Sequence, residues 1–323
     1  MSNRVCEILG IEKPVLAAPM TWITNAEYVA AVSNAGGAGI LGFNAGQTTL
    51  TKDPDETIER TRAQIRRTKE LTTKPFGVNM MLSETIDPFT ERTLKLFKEE
   101  RPAFVAAVTA GKIHPDIINA LKELDIRIVC RPISPTVQLL KDVEKLGVDI
   151  VVCVGFEAGG HSSAHHISLM SIFPAARRAL KCPLMAAGGI CDELSAKAVA
   201  AMGAEGAYVG TRFIVTKENP THPLMKQAII DTKAEDMFEV PSNPGHIRMT
   251  RNETGIEVEK MFKAGATGAE INDFYMGRGG FMAGMLKGDL KNGFINGSEA
   301  IDNITSIKTV KEVIDEIGPA FLE

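Results

Sequence analysis

The 323-residue sequence lacks the marks of several large protein classes. Its five cysteines are odd in number and scattered, with no CxxC pair, which is typical of reduced thiols and argues against a disulfide framework. Its six histidines form no HExxH motif, so we expect no metal site. No apolar run reaches 18 residues, and the first ten residues lack the apolar stretch of a signal peptide. We therefore expect a soluble, cytoplasmic protein with no membrane partner.

A strong charge of one sign is also missing. The net charge is −4 and the sequence pI is about 6.0, which argues against a nucleic-acid-binding surface. Hydrophobic residues make up 44% of the chain, enough for the core of one large domain. We therefore expect the partner to be a small molecule and not a nucleic acid.

Eight short apolar runs alternate with amphipathic, helix-like segments. Because the runs lack the polar alternation of a half-exposed strand, each is predicted to be a buried parallel strand. They cover residues 15–18, 39–43, 76–81, 104–108, 127–130, 150–154, 184–187 and 207–210. Eight such repeats predict a (β/α)8 TIM barrel. A doubly wound open sheet is the alternative, but no GxGxxG motif follows the first run.

The strand–helix alternation stops after the eighth run. Residues 217–290 hold helix-like pieces separated by prolines and by a glycine-rich stretch, and they predict a smaller, mostly helical subdomain over the barrel mouth. Residues 298–317 predict one closing helix with Ser298 as its cap. The predicted division is a barrel over 1–216, a covering subdomain over 217–290 and a C-terminal helix over 291–323 that returns to the barrel.

A histidine follows the sixth run at the end of a glycine-rich turn, Gly155-Phe-Glu-Ala-Gly-Gly-His161. Active sites of such barrels lie at the carboxyl ends of the strands, where this turn falls. His161 is the only side chain in the turn whose ordinary pKa suits proton transfer near neutral pH. We interpret it as catalytic, against the alternative of a buried structural histidine.

Glycine turns also follow the seventh and eighth runs. Gly188 and Gly189 end one, and Gly210 and Thr211 end the other, with Arg212 next in the chain. Bare glycine amides at these two strand ends are typical of a phosphate-binding site, to which Thr211 would add a hydroxyl and Arg212 a cation. The alternative is two tight turns without a ligand.

Three further strand ends carry candidate ligand contacts. The segment Ala18, Pro19 and Met20 follows the first run, and Met20 either flanks a flat ring or packs in the core. Asn79 either hydrogen-bonds a polyol or heterocycle or caps neighbouring backbone. Arg131 either neutralises an anionic group or pairs with an acid such as Glu157.

These motifs resemble the nitronate monooxygenase family, formerly called 2-nitropropane dioxygenase. The similarity is carried by residues 155–161, 186–190 and 209–213, with support from 75–79, and it extends over most of residues 8–230. The family includes NADH:quinone reductases, and the FMN-dependent enoyl-ACP reductase II is a close relative.

The resemblance implies an FMN-binding barrel. The glycine turns at residues 188–189 and 210–211 would hold the FMN phosphate. Asn79 and residues 18–20 would contact the ribityl chain and the ring, and His161 would face the flavin as catalytic acid or base. We also expect cofactor contacts from Arg131 and from the turn formed by Glu157, Ala158, Gly159 and Gly160.

The chain departs from the family pattern after the histidine. Ser163 stands where many relatives have glycine, and the segment 162–166, which ends in His165 and His166, is unusual. These changes leave the roles of the two loop histidines and the identity of the substrate open.

Three functions compete at this stage. The first is an FMN-dependent monooxygenase of alkyl nitronates, with O2 as co-substrate. The second is an FMN-dependent reductase that takes electrons from NAD(P)H and passes them to a quinone or an enoyl thioester. The third is a flavin-free lyase or isomerase of a phosphorylated substrate. In each case we expect a small-molecule substrate and a homodimer.

Overall fold

Eight parallel strands form a TIM barrel. The computed structural model describes residues 3–242, 245–293 and 296–322. The described strands are β1 (Val15–Ala17), β2 (Ile40–Leu41), β3 (Gly77–Leu82), β4 (Phe104–Thr109), β5 (Arg127–Pro132), β6 (Ile150–Val154), β7 (Gly160–Ser162), β8 (Leu184–Ala187), β9 (Ala207–Val209), β10 (Met237–Pro241) and β11 (His246–Thr250). The parallel sheet runs in the order β1-β9-β8-β6-β5-β4-β3-β2, and a bridge between Leu16 and Ala38 joins its two edges. Each predicted run overlaps one of these strands.

Thirteen α-helices lie in the described ranges. They are α1 (Arg4–Leu9), α2 (Ala26–Asn34), α3 (Pro54–Leu71), α4 (Pro88–Glu100), α5 (Pro115–Glu123), α6 (Val137–Lys145), α7 (Leu169–Ala179), α8 (Glu193–Ala201), α9 (Thr211–Ile214), α10 (Pro223–Asp231), α11 (Glu253–Lys263), α12 (Gly268–Gly277) and α13 (Val310–Ile317). The apolar faces of α2 to α8 and α13 pack against the outward-facing strand residues and form the largest hydrophobic cluster with them. A second cluster fills the barrel interior, and Val5 and Leu9 of α1 pack onto it.

The segment between the barrel and α13 is largely helical, but it also contains a β-hairpin that the sequence analysis did not predict. Strands β10 and β11 pair antiparallel, and β11 then pairs with β7, the short strand that contains His161. The result is a three-stranded sheet outside the barrel. This sheet ties the segment after the eighth barrel strand to the turn after the sixth.

The prediction of one closing helix over 298–317 is wrong. A short 3₁₀ helix at Glu299–Asn303 is followed by non-helical chain, and α13 begins only at Val310. Ser298 does cap the first piece, since its side chain accepts a hydrogen bond from the Ala300 amide. The intervening Ile304, Thr305 and Ser306 are poor helix formers, and Thr309 starts a new capping box with Glu312.

Candidate active site

A cavity of about 280 Å³ opens at the carboxyl ends of the barrel strands. It lies where the sequence analysis expects the active site of a TIM barrel. All but one of the predicted site residues line it, namely Ala18, Pro19, Met20, Asn79, Arg131, Ala158, Gly159, Gly160, His161, Gly188, Gly189, Gly210 and Thr211. The exception is Glu157.

Backbone forms the cavity wall at the ends of β8 and β9. Gly188 and Gly189 have φ angles of 96° and 74°, a region that favours glycine. A Cβ on Gly188 would also come within 3.1 Å of the Ala158 nitrogen. The turn therefore needs glycine for its conformation and for its closeness to the neighbouring turn. It leaves bare backbone beside the cavity.

The next turn combines backbone with two side chains. Thr211 begins α9, and its hydroxyl oxygen accepts a hydrogen bond of 3.0 Å from the Ser298 amide. Arg212 is buried and donates bonds of 2.8 Å to the carbonyls of Val215 and Ser306. Part of its guanidinium thus holds the returning C-terminal segment, although Arg212 also lines the cavity.

Asn79 and the 18–20 segment form another part of the wall. The Asn79 side-chain nitrogen donates to the Ala106 carbonyl at 2.9 Å, which fixes the orientation of the amide. The side-chain oxygen and the second N–H are then the groups that can bond a ligand. Ala18 is tied to the barrel by a bond from its amide to the Val209 carbonyl.

His161 lies on β7, beside β11 of the β10–β11 hairpin. Burial lowers the pKa of its imidazole below the ordinary value of 6.5, and the nearby positive charge of Arg131 lowers that pKa further. The side chain is therefore neutral at pH 7, the state needed to accept a proton.

Arg131 does not pair with Glu157. It donates a 3.3 Å hydrogen bond to the His161 carbonyl and lines the cavity. The Glu157 carboxylate instead accepts bonds of 3.0 and 2.9 Å from the amide of Leu169, the first residue of α7. Glu157 therefore caps a helix, and Arg131 keeps guanidinium donors for a ligand.

Arg248 is a structural contributor that the sequence analysis missed. Only 1% exposed, it donates bonds of 2.6 Å to the carbonyls of Phe156 and Ala158, in the turn that leads to His161. Its guanidinium also pairs with Glu239 at 2.8 Å and Glu299 at 3.1 Å. The only signal in the sequence is a lone arginine between the apolar residues of β11, and nothing local connects it with a turn 90 residues away.

The two loop histidines lie outside the residues that line the cavity. His165 is exposed. His166 has a positive φ of 50°, stacks on Phe156 at 4.6 Å and comes within 3.9 Å of the Glu239 carboxylate. Its contacts are with the network around Arg248.

Two other side chains in the cavity wall bear on the chemistry. Burial raises the pKa of the Cys191 thiol to about 11, so the thiol is protonated at neutral pH and is a poor nucleophile. Tyr208, which the sequence analysis also missed, lies in β9 and lines the cavity.

In the described ranges, no cluster of three or more His, Cys, Asp or Glu side chains could hold a metal ion, and no helix is long and apolar enough to cross a membrane.

Comparison with known proteins extends the similarity over nearly the whole chain. The family model described as nitronate monooxygenase matches residues 2–319. A probable nitronate monooxygenase of Staphylococcus haemolyticus is 28% identical over 302 residues, which cover 81% of each chain. A nitronate monooxygenase of Pseudomonas aeruginosa is 29% identical over 72% of this chain and 75% of its own. The solved structure of FabK from Thermotoga maritima aligns with a TM-score of 0.86 and 29% identity, covering all of this chain and 96% of the other.

Proposed function

The chain belongs to the nitronate monooxygenase family and is an oxidoreductase, and from this premise we propose that it oxidises alkyl nitronates with O2 through bound FMN. The observation that carries the proposal is a single cavity that combines bare glycine turns, a neutral histidine and a guanidinium. Family membership leaves the flavin-free lyase or isomerase without support.

The cavity residues fit a flavin phosphate and ring. Gly188 and Gly189 present backbone where a Cβ would be strained or crowded, as a phosphate cradle requires. Asn79 offers polar groups for a polyol or a ring edge, and Met20 offers an apolar surface. When bound, the flavin would supply the electron transfer between substrate and O2.

The chain's own residues would bind the substrate and control its proton. A nitronate is an anion, and Arg131 is the cation beside His161 in the cavity. Apolar side chains, such as Met81, Val108 and Ile133, would take the alkyl group and exclude water. His161, neutral at pH 7, would accept a proton from the carbon of a neutral nitroalkane, whereas a preformed nitronate would need only the charge of Arg131.

A reductase that uses NAD(P)H is the second candidate. The same apolar lining would suit the chain of an enoyl thioester or a quinone, and the full-length alignment with FabK supports keeping this alternative. The residues 217–290, which we propose as a covering subdomain, would then set the choice between substrates. We propose a homodimer for either activity.

Anaerobic mixing tests the proposal. We expect purified protein to show flavin absorbance. The anion of 2-nitropropane should bleach that absorbance, and the flavin should remain oxidised with NADH or NADPH. Readmission of O2 should restore the absorbance. Rapid bleaching by NADH or NADPH would favour the reductase, and protein that neither carries nor binds FMN would refute both.

A further inference from the structure

Tyr208 has a buried hydroxyl with no partner beside the cavity. The residue is 4% exposed and lines the cavity from β9. No hydrogen bond to its hydroxyl is found among the described residues. A buried polar group without a partner is costly, and its presence needs an explanation.

The other two tyrosines differ in their surroundings. The Tyr275 hydroxyl donates to Asn272 at 2.7 Å. Tyr28 also has a buried hydroxyl for which no hydrogen-bond partner is found among the described residues, but it packs against Phe213 and is outside the residues that line the cavity. Tyr208 is thus the tyrosine whose free hydroxyl and cavity position coincide.

Arg131 is a charged group that lines the same cavity as Tyr208. Burial lowers the pKa of Arg131 and raises that of Tyr208. The charge interaction between the two side chains opposes both shifts, because Tyr208 raises the pKa of Arg131 and Arg131 lowers the pKa of Tyr208. This mutual effect means that the guanidinium and the phenol are within electrostatic range. Both are donors at neutral pH, because Tyr208 stays protonated and Arg131 stays charged.

We propose that Tyr208 and Arg131 together bind one oxygen acceptor of the molecule in the cavity. Tyr208 would donate its O–H and Arg131 an N–H to the same carbonyl or anionic oxygen. That oxygen belongs either to the flavin ring or to the substrate anion. The proposal rests on the proposed function, because it assumes that FMN or a nitronate occupies the cavity.

The chemistry favours such an acceptor over water or an alkyl group. A hydrogen bond to an oxygen that carries charge is about twice as strong as one between neutral groups. It would satisfy the buried phenol, which no described side chain does. It would also be shielded from water by the apolar part of the cavity wall, where electrostatic interactions are stronger.

The test is Tyr208→Phe, with Tyr28→Phe as the matched control for loss of a buried tyrosine hydroxyl outside the cavity. The first measurement is the stability of the apoprotein in urea. We expect Tyr208→Phe apoprotein to be at least as stable as wild type, because the substitution removes an unsatisfied group without opening a hole.

The second measurement is binding. FMN is titrated into apoprotein, and the apparent Kd for the anion of 2-nitropropane is taken from how the rate of anaerobic flavin bleaching depends on its concentration. About tenfold weaker FMN binding would assign the acceptor to the flavin. Unchanged FMN binding with about tenfold weaker nitronate binding would assign it to the substrate. Tyr28→Phe should change neither, and Arg131→Met should weaken the same ligand, with a non-additive double mutant.

Two results would overturn the inference while leaving the proposed function intact. One is equal affinity of wild type and Tyr208→Phe for both ligands. The other is a Tyr208→Phe apoprotein that loses as much free energy of unfolding as it loses free energy of ligand binding. That result would indicate a structural role for the hydroxyl. Wild-type protein that binds no FMN would instead refute the proposed function and this inference with it.

Discussion

The cavity has two rims that are built differently. The glycine rim, Gly188, Gly189 and Gly210, consists of turns that follow directly from adjacent strands β8 and β9. The histidine rim, residues 155–161 with Arg131, depends on partners far away in the sequence: Arg248 holds its carbonyls and Ser298 donates to the Glu157 carbonyl. The comparison indicates that the proposed cofactor site is built largely from local turns of the barrel, whereas the placement of the histidine depends on the segment that follows the eighth barrel strand.

The two rims touch where Gly188 approaches Ala158. The Gly155 amide also donates to the Ala187 carbonyl. A change in one rim can therefore displace the other, and substitutions that separate their roles are the sharpest tests of the comparison.

The largest effect should come from His161→Ala. If the histidine rim supplies the acid or base, turnover of the neutral nitroalkane should fall by about 10²- to 10⁴-fold. Flavin absorbance should stay, because the glycine rim is unchanged. Steady-state kinetics with flavin quantitation checks this, and full activity in the variant would rule out His161 as the catalytic base.

Arg248→Met should most weaken the link between the β10–β11 hairpin and the turn at residues 155–161. It leaves Glu239 without its buried partner and frees two carbonyls, for a loss of about 3–5 kcal/mol in the free energy of unfolding. Urea unfolding measures it.

Arg251→Met in the same segment is the control. Arg251 pairs with Glu259 at an exposed site, so the loss should stay below about 1 kcal/mol. Similar losses in both variants would contradict the special role of Arg248.

Gly188→Ala should weaken the glycine rim. An alanine at a φ of 96° costs about 1–2 kcal/mol, and its methyl group would crowd Ala158. We expect FMN binding to fall by roughly tenfold when that strain is relieved by moving the turn.

Gly203→Ala is matched for backbone strain, with a φ of 92°, but lies beside Arg177, outside the residues that line the cavity. It should reduce stability and leave FMN affinity unchanged. Equal loss of FMN affinity in both variants would argue against a local cradle.

The pH dependence should report the low pKa of His161. The active form of His161 is the neutral imidazole. Protonation of His161 should therefore not reduce kcat/KM for the nitroalkane above pH 6.5, and kcat/KM should fall only as the pH drops below that value. Arg131→Met removes a nearby positive charge, so the pKa of His161 should rise and the loss should begin at higher pH. A profile that does not move would place the charge of Arg131 too far from the imidazole to matter.

The smallest effect should come from Glu157→Gln. Glutamine can still accept a bond from the Leu169 amide but loses a charge at the start of α7, for about 0.3–1 kcal/mol of stability. FMN affinity, measured by titration, should not change. A weaker affinity would restore Glu157 as a cofactor contact.

Most barrel strands could be predicted from the sequence because they are buried on both sides. Such strands appear as continuous apolar runs, and each of the eight runs overlaps a barrel strand. The glycine turns were readable for a similar reason, since bare backbone at a strand end is a local pattern. Thirteen of the predicted site residues consequently line one cavity.

The covering hairpin was harder to predict. β10 and β11 are short, and residues such as Arg248 and Glu239 interrupt their apolar pattern because they form a buried ion pair. Tyr208 was missed because a tyrosine in an apolar run is normally a core residue, and only the barrel geometry brings it beside Arg131 and the cavity.

The sequence by itself determined the strand order along the chain, the glycine turns and the histidine after the sixth strand, because these depend on neighbours within a few residues. The tertiary structure alone decided that Glu157 caps α7, that Arg248 holds the turn before His161 and that Tyr208 and Arg131 line one cavity. The hydrogen bonds of Glu157 and Arg248 join a side chain to backbone 12 and 92 residues away in the chain. A buried charge or hydroxyl takes its partner from whatever the fold brings near, and no local pattern specifies that partner.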